Sequence, residues 1–261
     1  MWLIYTGASI RCQMQYRVSF VLGAMGQFLA TGIDFVGLWA LFDRFENLRG
    51  WTLPEVALFY GVAHVSFALA DMLGSGFDEA GHLIRKGELD RLLLRPRSTI
   101  LQLLGYRLTL RRMGRMSQGA IVFVWALTQL QVDWSIGTAI LLAVTVLCGS
   151  CLFLGLLALQ ATMSIWTVQT LELVNCTTYG GVFAAQHPFS IYGRWFRWLF
   201  TFVVPLACVT YFPLVAVLGK EEPLGTPAWV GYAAPVAGPL FLAASLSCWN
   251  WGVRRYTSTG S

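Results

Sequence analysis

Three acidic side chains, Asp34, Asp71 and Glu172, stand inside long apolar runs. An ionised carboxylate is costly in hydrocarbon, so such groups face a cavity, a partner or a pathway. Asp34 lies past the midpoint of its run, Asp71 toward the inner end of the next, and Glu172 beside Gln169, Thr170 and Asn175. Two readings stay open. The acids pair with arginines or backbone groups for structure, with Asp71 close enough to a helix end to reach water, or they line a path that attracts cations. Other chemistry is sparse. Cys148-Gly-Ser-Cys151 has the spacing of a redox or metal pair, but it lies in a continuous apolar run with no histidine beside it, which favours packing. His64, His82 and His187 are scattered, and nothing resembles a nucleophile paired with a base. There is no G-x-x-x-x-G-K-[ST] phosphate loop. No catalytic centre, metal site or cofactor is therefore expected in this chain.

The elements that must carry these residues follow from composition. The chain is 56% hydrophobic and 12% charged, with mean hydropathy +0.61, which leaves too little polar surface for a soluble globule of 261 residues. Apolar runs occur at about 18–42, 54–77, 116–132, 135–160, 163–185, 196–219 and 228–252, each near the roughly 20 residues a helix needs to cross a bilayer core. They are continuous, without the alternation of barrel strands, so the fold class is an all-α integral membrane protein. No cleavable signal is expected, and residues 1–17 read as an interfacial helix.

Nine of the eighteen basic residues fall between Arg85 and Arg115, which places that segment in the cytoplasm. Arg11, Arg17, Arg254 and Arg255 put both termini on the same side, in a cell inner membrane, with 43–51 and 131–134 outside. Seven crossings contradict that arrangement. The run 196–219 resolves it, because Pro205 and Pro213 break its helix and broken backbone is tolerated where protein or water covers it. The expected architecture has six crossings (18–42, 54–77, 116–132, 135–160, 163–185 and 228–252) and an outer re-entrant hairpin over 188–219.

Residues 78–97 form a charged island between two of these runs. Ser75 and Asp78 suggest a capping box, Gly87 an interruption, Pro96 a stop and Ser98 a new cap, so the island reads as two short amphipathic helices. By its residues alone it could equally lie on lipid headgroups with its arginines on phosphates.

The run Ile84-Arg-Lys-Gly87-Glu88-Leu89-Asp90-Arg91-Leu92-Leu93-Leu94-Arg95-Pro96 resembles the cytoplasmic signature of the permease subunits of ABC-2 type exporters. Gly50-Trp51-Thr52, Pro188-Phe-Ser-Ile-Tyr192, Pro205 and Tyr211-Phe-Pro213 match that family's pattern in order along most of the chain. The resemblance implies a non-catalytic transport subunit whose insert is a coupling helix, docked in a groove of a separate cytoplasmic ATPase. Two permeases, as a homo- or heterodimer, would join an ATPase dimer that binds the ATP and magnesium. On that reading Glu79, Leu83, Gly87, Leu89, Leu92 and Leu93 form the contact set, and Arg85, Lys86 and Arg91 are rim charges that orient docking. Gly23, Gly26, Ala30 and Gly37 are available for a close permease–permease contact.

Aromatics supply one further candidate. Trp39, Phe42, Trp51, Phe59 and Tyr60 read as an interfacial belt. Tyr192, Trp195, Phe196 and Trp198, with Phe200, Phe202 and Pro205, either gate the outer exit or seat the hairpin at the headgroups. Membrane lipids are expected partners and nucleic acid is not. An ion-coupled carrier or channel, or an anchor that recruits a soluble protein, are the competing functions; a single broken segment instead of two matched ones disfavours the carrier.

Overall fold

Thr52 opens the most buried helix of the molecule, with the Glu55 carboxylate accepting the Thr52 N–H at 2.8 Å and Pro54 in the first turn. The computed structural model describes residues 7, 11, 13–45, 47–106, 109–132, 134–166, 171–220, 225–227 and 229–257, with the side chains of 171–176 outside that description. Most of the expected interfacial helix over 1–17 therefore lies outside the described residues, as do Arg107, Gln169 and Thr170. Among the described residues all regular elements are helical, as expected, and the one strand-like contact is an isolated bridge between Leu48 and Trp51.

In chain order the helices are α1 (Arg17–Arg44), α2 (Leu53–Asp78), α3 (Ala80–Arg85), α4 (Glu88–Leu93), α5 (Thr99–Leu104), α6 (Met113–Gln129), α7 (Ile136–Trp166) and α8 (Leu171–Ala185). They continue with α9 (Arg194–Trp198), α10 (Leu206–Val209), α11 (Tyr211–Val217), α12 (Trp229–Ala233) and α13 (Ala237–Arg254). Helix α2 is the axis, packed along both α6 and α7, while α13 covers the other side of α7. Small residues allow the close approaches: a Cβ on Gly61 would stand 2.7 Å from the Phe123 Cα, and one on Gly114 would meet the Ala24 carbonyl. Helix α1 packs chiefly on α6 and leaves Val18, Leu22, Leu29, Ile33 and Val36 exposed.

Among the described residues four stretches are long and apolar enough to cross a membrane: Arg17–Arg44, Leu53–Arg85, Ile136–Trp166 and Trp229–Arg254. A fifth is a broken pair, Arg194–Val203 and Leu206–Val217, bent by 74°. Pro205 stands at the break, preceded by a π-helical turn over Leu199–Val203. The stretch expected to span at 116–132 appears as the 17-residue helix α6; of that expected at 163–185, residues 163–166 end α7 and 171–185 form α8, with 167–170 outside the described residues.

Two local expectations are corrected. Ser75 and Asp78 start nothing, because α2 runs through them and Ser75 is buried inside it. Of the expected aromatic belt only Trp39 is exposed. Phe42, Trp51, Phe59 and Tyr60 are buried because neighbouring helices supply partners, including the Thr31 carbonyl, which accepts the Tyr60 hydroxyl at 2.6 Å.

Candidate functional site

Gly87 adopts φ 66°, a left-handed conformation that glycine reaches without Cβ strain, and so divides the charged insert into α3 and α4. Pro96 ends the second piece, where the Gln102 side-chain amide ties the turn down by donating to the carbonyls of Leu92 at 3.0 Å and Arg97 at 3.2 Å. Ser98 precedes α5 without a side-chain capping bond.

The amphipathic pattern resolves into an inner and an outer face. Leu83, Ile84, Leu89 and Leu92 are buried in one apolar cluster with Phe77 of α2, Leu157, Ala158 and Ala161 of α7, and Trp249 of α13. Trp249 locks this packing from the far side, its Nε1 donating to the Thr99 hydroxyl at 3.1 Å. Leu83, Leu89 and Leu92, expected at a docking surface, thus turn into the chain's own bundle. Arg85, Lys86 and Arg91 are exposed, together with Leu94, Arg95 and Arg97, while Glu79, Gly87, Glu88 and Leu93 are half-buried. The insert is a basic plate packed against the C-terminal parts of α2, α7 and α13.

Directly above this plate sits a charge cluster. Asp71 is fully buried on α2 and paired with Arg112, whose second nitrogen lies 3.4 Å from Asp78 at the end of the same helix. Arg115 of α6 stands 3.9 Å from Asp71, donates to Gln27 of α1 at 3.3 Å and lies over the Phe67 ring at 5.0 Å. The cluster therefore joins α1, α2 and α6 immediately before the insert begins. Asp71, expected close enough to a helix end to reach water, is instead wholly buried beside guanidinium groups.

The three acids do not converge on one path. Asp34 is exposed on α1, one turn from Thr31 and thus near the level of Tyr60, roughly 16 Å of helix rise from Asp71. The Glu172 and Asn175 side chains lie outside the described residues. Deeper in the bundle the sequence reading missed a polar ladder. Tyr60 contacts Gln118 at 3.2 Å, its ring lies 4.2 Å from that of His64, and His64 Nε2 meets the Gln186 amide at 3.0 Å. No periodicity marks such residues, since their partners lie on four different helices or turns.

At the other end, the connection after α1 is clamped to both ends of the broken segment. Arg49 donates to the Ile191 carbonyl at 3.0 Å and Trp51 Nε1 to the Ser190 hydroxyl at 3.0 Å. Lys220, just past α11, donates to the Gly50 carbonyl at 3.1 Å, pairs with Glu55 at 2.8 Å and covers the Trp51 ring at 4.5 Å. The expected gate residues divide between two faces. Tyr192 and Phe196 stack inward toward Phe200, with ring centroids 4.6 Å apart at each step. Trp195 and Trp198 are exposed, and Pro205 is half-buried at the bend.

A family model described as ABC-2 family transporter protein matches residues 28–260, spanning the plate, the charge cluster and the clamped segment. The chain belongs to the ABC-2 transporter family. Together with its apolar helices, this makes it a multi-pass membrane protein and a membrane subunit of a transporter. No curated protein and no solved structure matches the chain. Among the described residues no group of His, Cys, Asp and Glu is arranged to hold a metal ion. Within an ABC-2 subunit the basic plate and the charge cluster beside it become the candidate site, since they connect an exposed charged surface to the helices of the bundle.

Proposed function

We propose that this ABC-2 subunit is the permease of an ATP-driven exporter, and that its 78–97 insert receives force from a separate cytoplasmic ATPase. One observation supports this above all: the insert presents Arg85, Lys86 and Arg91 outward, while Leu83, Leu89 and Leu92 fix it to α2, α7 and α13. A push on the outer face reaches the bundle as a rigid displacement, because a close-packed apolar contact transmits strain with little compression. ATP and magnesium belong to the ATPase dimer, and a second permease completes the path. The cargo class is an amphiphile, such as a drug, an antibiotic or a lipid-like molecule. Both termini lie in the cytoplasm and 188–219 re-enters from the outer face.

Co-expression with an ATP-binding cassette protein, sought first in the neighbouring gene, tests this reading. The two are expected to co-purify, and the permease should raise ATP hydrolysis when cargo is present. Lys86→Glu combined with Arg91→Glu should weaken that complex while leaving the permease's own unfolding temperature unchanged, because both side chains are exposed. Full cargo-stimulated hydrolysis by the double variant would remove the plate from the coupling path. Purified permease that moves cargo along an ion gradient without nucleotide would favour the carrier reading instead.

A further inference from the structure

Helix α1 commits one line of side chains to the bundle, Thr31, Phe35, Leu38 and Phe42. Phe35 fixes its rotation, the ring centroid lying 5.3 Å from that of Tyr60 and 6.1 Å from that of Trp125. Asp34 stands beside this line and is exposed. Its neighbours one turn away are Ala30 and Gly37, also exposed, and a Cβ added to Gly37 would meet nothing within 4 Å. The carboxylate is therefore open to whatever adjoins α1.

That neighbour is not hydrocarbon. The 28 residues of α1 rise about 42 Å and Asp34 lies roughly 25 Å from the start, so a core of about 30 Å contains it wherever the core falls along the helix. A carboxylate at such depth faces a partner charge or a pathway. The chain offers no partner charge. Asp34 makes no ion pair or hydrogen bond among the described residues, and Lys and Arg are absent from 18–43, 52–84, 116–193 and 221–253. Arg112 and Arg115, which reach into the bundle, are held by Asp71, Asp78 and Gln27. A second copy carries the same sequence and brings no other cation to that depth.

We propose that Asp34 receives the positive charge of a cationic amphiphilic cargo, whose apolar body lies against Leu29 and Ile33, 57% and 70% exposed on the adjoining strip. A metal ion needs several oxygen ligands, whereas a single carboxylate among apolar and small side chains suits an organic ammonium or phosphonium. The inference rests on the transport reading and narrows its cargo to one charge class.

Purified permease in nanodiscs, without nucleotide or ATPase, tests this with radiolabelled tetraphenylphosphonium, read against empty nanodiscs. Binding should saturate in the parent and weaken about tenfold or more in Asp34→Asn, as loss of a charge-assisted contact implies. Asp34→Glu should keep most of the affinity. Asp43→Asn, which removes an exposed carboxylate at the end of α1, should leave it unchanged. Tetraphenylborate, of the same shape and opposite charge, should bind the parent no more tightly than it binds Asp34→Asn. Absence of saturable binding, equal phosphonium affinity in the parent and Asp34→Asn, or equal losses in Asp34→Asn and Asp43→Asn would each overturn the assignment. Because Asp34 is exposed, Asp34→Asn should unfold at the temperature of the parent; earlier unfolding would mark a structural ion pair and overturn it too. No nucleotide enters the assay, so unaltered binding leaves the coupling proposal standing, and a failure of coupling leaves this contact to be judged by binding alone.

Discussion

A buried ion pair conceals the desolvation cost of its members until one of them is removed. Asp71 is wholly buried and Arg112 largely so, and Arg112 alone links Asp71 to Asp78 at the end of α2. Asp71→Ala would remove the buried partner of Arg112, leaving it only the Asp78 carboxylate at 3.4 Å, and the carboxylate nearest Arg115, at a cost of about 3–5 kcal/mol by analogy with other broken buried pairs. Arg112→Met should cost less, since Arg115 remains 3.9 Å from Asp71. The double change Asp71→Leu with Arg112→Met should be milder than the sum of the single changes, because it removes the uncompensated charge together with its cause. Thermal unfolding in detergent supplies this cycle, and strict additivity would show that the contact has no energetic consequence. Sequence position alone named Asp71 as unusual but could not name its partner, because Arg112 and Arg115 reach it from outside its own helix.

At the level of elements, the insert shows which information is local and which is not. Gly87 and Pro96 were legible because a left-handed residue and a missing N–H act on their own backbone. The leucine face was legible as apolar, but an amphipathic pattern says only that something apolar covers it. Here the cover is α7 and Trp249, residues distant in sequence, and so a face that suggested a partner groove became part of the core. The false capping signal at Ser75 has a related cause: the packing of α2 overrides a local preference for helix initiation. Leu89→Ala should therefore cost about 2–5 kcal/mol, as other large-to-small core changes do. Leu94→Ala, at a residue 85% exposed, should fall within about 0.5 kcal/mol of the parent. Chemical denaturation of the two variants side by side separates a face that holds the plate in place from one left free for a partner; equal losses would contradict the inner and outer faces described.

For the whole molecule, the question is how many times the chain crosses the bilayer. Helix α7, with 31 residues, is roughly 46 Å long, whereas α6 is roughly 25 Å, shorter than a hydrocarbon core of about 30 Å. Local thinning or adjoining non-helical backbone covered by protein must complete that passage if it spans. The clamp around Glu55 bears on the broken segment. Arg49 and Trp51 hold residues 190–191, and Lys220 returns to Gly50 and Glu55, so both ends of the segment meet one short connection. We propose that these shared contacts mark re-entry and not a full crossing, the arrangement in which six crossings agree with the charge count. Single cysteines in a cysteine-free background, probed with a membrane-impermeant maleimide on intact cells, test the arrangement directly. Gln131→Cys and Thr226→Cys should label from outside, whereas Arg95→Cys and Thr257→Cys should label only after permeabilisation. Labelling of Thr257→Cys from outside would make the broken segment a seventh crossing.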